Sequence, residues 1–91
     1  MERISVNNLQ AVVDRINKVT GNNPASYTKT ETGFTGNIGN YHLSGAYGGY
    51  ALHQMVNDGG GVRDIFGGFR QKRELYELMH AYLKGIADFT G

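Results

Sequence analysis

Residues 33–68 read GFTGNIGNYHLSGAYGGYALHQMVNDGGGVRDIFGG and hold eleven of the chain's fourteen glycines, with Phe34, Tyr41, Tyr47, Tyr50 and Phe66 among them. Glycine weakens any regular element through its backbone entropy, so this density calls for turns, bulges or close backbone approach. Gly39-Asn40 and Gly48-Gly49 both suit two-residue hairpin turns. The first turn predicts Ile38 opposite Tyr41, Asn37 opposite His42, Thr35 opposite Ser44 and Phe34 opposite Gly45. The second predicts Tyr47 opposite Tyr50, Ser44 opposite His53, His42 opposite Met55 and Tyr41 opposite Val56. Side chains alternate with period two, and the two turns sort the residues onto the same faces. One face collects Phe34, Ile38, Tyr41, Leu43, Leu52 and Val56 and is expected to pack on helices. The other carries Thr35, Asn37, His42, Ser44, Ala46, Ala51, His53 and Met55, a solvent-facing or binding surface. A further short strand fits the edge near 27–30.

Helices flank this segment. Ser5 is a natural N-cap, and Ile4 can close over Leu9 as a staple. Leu9, Val12, Val13, Ile16 and Val19 recur at spacings of three and four, and Asp14 with Lys18 forms an i,i+4 pair. Gly21 sits where a left-handed residue ends a helix, and Asn22, Asn23 and Pro24 stop it. The first helix is therefore expected at 6–20. Leu75, Leu78, Met79, Tyr82, Leu83 and Ile86 form the stripe of a second, over 70–87, with Gly85 weakening its last turn. The order predicts an α+β domain: an antiparallel three- to four-stranded meander packed on an N-terminal and a C-terminal helix (α-β-β-β-α), as one domain over 1–91.

A chain of 91 residues supports one small core, and 40% hydrophobic residues suffice to build it. With zero cysteines there are no disulfides, thiolate metal sites or thiol nucleophiles, which favours an intracellular home. No apolar stretch approaches the ~20 residues of a membrane span, and the N-terminus lacks the layout of a signal peptide. A net charge of +1 argues against duplex nucleic acid, whose binding rests on many phosphate contacts. A homo-oligomer would relieve the thin core.

Chemistry is sparse. His42 and His53 fall diagonally on one face, but a metal would need a third ligand, and Asn37 and Ser44 are poor ones. They read as surface histidines or as ligand contacts. Ser44 with His53 lacks an orienting third group and an oxyanion hole, and Asp58 and Asp64 read as partners of Arg63. The glycine loop is the best lead. Gly59, Gly60 and Gly61, then Gly67 and Gly68, precede a helix whose first turn is expected to hold Arg70, Lys72 and Arg73. Glycines let amides converge on an anion, and cations at a helix start oppose its dipole unless something neutralises them. The spacing matches neither the phosphate-loop nor the dinucleotide pattern, so solvated basic residues beside flexible turns remain the plainer account. Tyr47 and Tyr50 form a cross-strand pair that stabilises a hairpin tip and also offers a stacking platform.

The run from Ile38 to Gly49, the stretch Met55 to Val62, and Lys72-Arg73-Glu74-Leu75-Tyr76-Glu77 resemble small uncharacterised proteins encoded by tailed phages and prophages. The likeness covers most of the chain. It implies an accessory phage gene product in the host bacterial cytoplasm that acts by binding, and it carries over no catalytic residue. The expectation is a non-enzymatic protein without a cofactor or metal, a homo-oligomer that counters host defence by capturing a small anionic ligand of nucleotide type, for instance a cyclic nucleotide signal. Its contacts would come from Gly59, Gly60, Gly61, Gly67 and Gly68, from Arg63, Arg70, Lys72 and Arg73, and from His42, Tyr47, Tyr50 and His53. The alternatives are a module that inhibits or recruits a host protein, and a binder of single-stranded nucleic acid.

Overall fold

In the computed structural model, which describes residues 3–90, the chain runs α1 (Val6–Thr20), β1 (Tyr27–Thr30), β2 (Gly33–Gly36), β3 (Tyr41–Ala46), β4 (Gly49–Met55), β5 (Val62–Asp64) and α2 (Lys72–Thr90). The α+β class and the helix, strands, helix order are those the sequence predicts. The strands, however, form two antiparallel sheets, β1-β2 and β3-β4-β5.

Both caps of α1 are as expected. Ser5 Oγ accepts the Asn8 amide at 3.2 Å, and Asn8 Oδ1 accepts the Ser5 amide at 2.9 Å. At the other end Gly21 adopts φ 73°, and the amides of Gly21 and Asn22 close back on the carbonyls of Lys18 and Asn17. Leu9, Val12, Val13 and Ile16 are buried, while Val19 is exposed and Asn17 lies inside. From α2 come Leu75, Met79 and Leu83, and from the sheet Tyr41 and Leu52, to complete one core. Each such aliphatic side chain contributes about 2 kcal/mol when removed from water. The helix α2 begins at Lys72, so Arg70 precedes it and bridges to Tyr50 instead of sitting in the first turn. It also continues through Gly85 to Thr90.

The register differs from expectation at both turns, for identifiable reasons. In the β3–β4 hairpin the turn residues are Tyr47 and Gly48, at φ 54° and 74°, one position earlier than Gly48-Gly49. Gly49 is needed in the strand, because a Cβ there would lie 2.8 Å from the Arg70 carbonyl oxygen. Every pair therefore slides by two residues: His42 faces His53 directly, Ser44 faces Ala51, and Gly45 is covered by Tyr50 instead of Phe34. A slide of two keeps each side chain on its own face.

The Gly39-Asn40 hairpin does not form. Strand β2 pairs with β1 across a Glu31-Thr32 turn, matching Lys29 with Phe34 and Tyr27 with Gly36. Gly39, at φ 93°, donates its amide to the Met55 carbonyl, while the Met55 amide donates to the Asn40 carbonyl. Two residues thus oppose one, a glycine bulge where β3 enters the sheet. Asn40 is fully buried and bonded, so it cannot stand at a turn tip. In consequence Phe34, Ile38 and Val56, expected in the core, are exposed, whereas Ala51 and Met55, expected on the polar face, are buried.

Candidate functional site

An open groove of about 570 Å³ lies between the tip of the β3–β4 hairpin and the start of α2, lined by Gly45, Ala46, Gly48, Gly49, Tyr50, Gln71 and Lys72. Three features of the chain create it. The Tyr47-Gly48 turn folds the strands back tightly, side chains are missing at Gly45, Gly48 and Gly49, and the Arg70–Tyr50 bridge brings α2 alongside. Reciprocal amide–carbonyl bonds of 2.9 and 2.8 Å hold that bridge. The first intrahelical bond of α2 runs from the Leu75 amide to the Gln71 carbonyl, so the Lys72 and Glu74 amides precede the helical hydrogen-bond ladder. Among the described residues no carboxylate pairs with Lys72. The groove thus joins an aromatic ring and small apolar walls to a cation and the positive end of a helix.

Of the residues singled out in the sequence, Tyr50, Gly48's neighbour Tyr47 and Lys72 lie at or beside this groove. Tyr47 is 94% exposed, and its ring meets Phe69 edge-on at 5.6 Å. The other basic residues are engaged elsewhere. Arg70 pairs with Glu74 and donates to the Phe66 carbonyl at 2.7 Å, Arg73 approaches Glu77 at 4.0 Å, and Arg63 donates to Gln54 at 2.8 Å.

The amides of Gly59, Gly61, Gly67 and Gly68 are satisfied within their own loops. The amides of Gly59 and Gly61 donate to Asn57 Oδ1 at 3.0 and 2.8 Å. Those of Phe66, Gly67 and Gly68 converge on the Asp64 carboxylate at 3.2, 3.0 and 2.8 Å. The second loop therefore does cradle an anion, and that anion is its own aspartate.

The histidines occupy the opposite face of the sheet from the core. Their rings meet edge-on at 5.8 Å, Phe69 approaches His53 at 6.1 Å, and Asp64 lies 3.8 Å from His53 Nε2. His42 Nδ1 is 3.2 Å from Asn40 Oδ1, and since an amide oxygen only accepts, Nδ1 carries the proton. Burial, and secondarily the neighbouring His53, lowers the pKa of His42. No group of three metal-ligating side chains exists among the described residues. On the core side, Tyr41 Oη and Tyr82 Oη are 2.7 Å apart; burial first, then this bond, pushes the Tyr41 pKa up to about 12.

Sequence reasoning missed Asn17, Asn40, Asn57 and Asp64 as organisers, and Gln71, Ala46 and Gly45 as groove walls. Asx residues adjoining glycines were the available signal, since their side chains cap nearby amides. No described helix is long and apolar enough to cross a membrane. No family model matches the chain, and no curated protein or solved structure matches it either.

Proposed function

We propose that this protein binds a small anionic ligand of nucleotide type in the groove between Tyr50 and Lys72, without catalysing a reaction on it. What carries the reading is one coincidence: an open groove lies where Lys72, which no carboxylate pairs among the described residues, and the start of α2 meet the Tyr50 ring. A phosphate at Lys72 would be favoured by the helix dipole, and a planar base could lie on Tyr50. The volume lies within the range of about 300–1,000 Å³ typical of small-molecule sites. Tyr47 adds support, because a tyrosine held at φ 54° and exposed to solvent is an expensive way to make a turn. The resemblance to phage-encoded proteins suggests a host signalling nucleotide as the captured species, within the host cytoplasm.

A thermal-shift panel of mono-, di- and cyclic nucleotides tests this. Saturation near a hundredfold over Kd adds about 2.7 kcal/mol, which in a domain this size raises Tm by roughly 10 °C or more. Lys72→Glu, which reverses the charge, and Ala46→Phe, which fills the groove, are each expected to abolish that shift. A Tm unmoved by every nucleotide would overturn the reading. Recovery of a host protein in that case would favour the interaction module.

A further inference from the structure

The β1–β2 hairpin makes almost no use of the core. All four residues of β1 are exposed, and two-stranded ribbons are marginal in water on their own. Yet the hairpin is sharply two-faced. Thr28, Thr30 and Thr35 lie on one side, while the register places Tyr27, Lys29 and Phe34 on the other. Tyr27 is 48% and Phe34 72% exposed, and together they line an apolar depression of about 300 Å³. Strict alternation of this kind marks a strand pair with one face to cover. The aromatic face runs on into the 59–61 loop: a Cβ on Gly60 would stand 2.8 Å from the Tyr27 hydroxyl, and the Gly36 amide donates to the Asp58 carbonyl at 2.8 Å.

Size and charge indicate what covers it. The chain exposes 5975 Å², roughly 700 Å² more than the ~5,200 Å² of a compact monomer of 10.0 kDa. Its radius of gyration of 13.5 Å likewise exceeds the ~12 Å of a compact domain of this length. The excess is close to the ~800 Å² that each partner contributes to a stable interface. Lys29 on the face and Glu31 in the adjoining turn give the hairpin no net charge, so no net repulsion opposes the approach of a second copy.

We propose that a second copy of this chain covers the Tyr27–Phe34 face, forming a twofold dimer in which each Phe34 ring seats beside the partner subunit's Tyr27. The interface is isologous, with the same patch on both copies. Sedimentation velocity on the full chain between about 1 and 100 µM is expected to give twice the chain mass at the upper end. Phe34→Glu is expected to weaken association at least tenfold, while Thr30→Glu, on the threonine side, leaves it unchanged. Circular dichroism checks that both variants stay folded. Should Phe34→Glu unfold, Lys29→Cys in this cysteine-free chain decides: oxidation is expected to link two copies. A wild-type chain at single mass at 100 µM overturns the proposal. So does a dimer indifferent to Phe34→Glu, or a folded Lys29→Cys that fails to cross-link.

Discussion

Asn17 holds the first helix to the sheet. Its Nδ2 donates to the Tyr41 carbonyl at 2.8 Å, and its Oδ1 accepts the Tyr41 amide at 2.7 Å, so one side chain stands in for an adjacent strand. It is buried to 1% exposure on a helix face otherwise made of Leu9, Val13 and Ile16. Asn17→Ala would strand both a donor and an acceptor away from water, at about 1–3 kcal/mol each. Asn17→Leu fits the apolar surroundings better yet leaves the same two groups unpaired, so hydrophobicity does not rescue it. Chemical denaturation is expected to show both variants destabilised by about 2–4 kcal/mol. A loss under ~1 kcal/mol would mean that water replaces the amide. Asn40 plays a parallel part at the bulge, donating to the Asn23 carbonyl at 2.7 Å and accepting from the Ser26 hydroxyl at 3.0 Å.

Among the elements, the β3–β4 hairpin has the clearest conflict between local preference and global packing. A turn with φ above zero at both central residues favours Asn-Gly, and here Tyr47 takes the first position. Tyr47→Asn is expected to stabilise the fold by about 1 kcal/mol, the order of the penalty for a side chain in the left-handed region. The same change removes an exposed ring beside the groove, so nucleotide affinity should fall as Tm rises. Stability and affinity rising together would show the ring to be idle. This hairpin also explains what could be read in advance. Helix α1 was legible to its caps because Ser5, Gly21 and the apolar spacing are local signals. The faces of β3 and β4 were legible because period two survives a slide of two residues. The turn position was not, since the need for Gly49 arises from Arg70, twenty-one positions away in sequence and adjacent in space. Pairing of β2 with β1 was hidden for a similar reason: Asn40 is buried only once Asn23, Ser26 and His42 gather around it. The site followed suit, with Tyr50 and Lys72 marked by type and Gln71, Ala46 and Gly45 set there by the Arg70–Tyr50 bridge.

At the scale of the whole molecule, these local environments should combine into a pH profile with two limbs. His42 lies half-buried against Asn40 and His53, and its pKa is held below the ordinary 6.5. Unfolding restores that value, so between the two the unfolded chain binds more protons than the native one. Stability from the neutral ring is complete above this window and is lost as pH falls through it. Tyr41 acts at the other end. With its pKa raised from 10.0 to about 12, the native state keeps a proton that the unfolded chain loses first, so stability is full below pH 10.0 and declines up to about 12. Melting temperatures measured from pH 5 to 11 are therefore expected to trace a plateau with a fall on each side. His42→Gln should flatten the acid limb alone, and Tyr41→Phe the alkaline limb alone, the latter with about 1 kcal/mol lost at neutral pH from the missing Tyr82 bond. An acid limb equally steep in His42→Gln would show that burial of this ring does not set it.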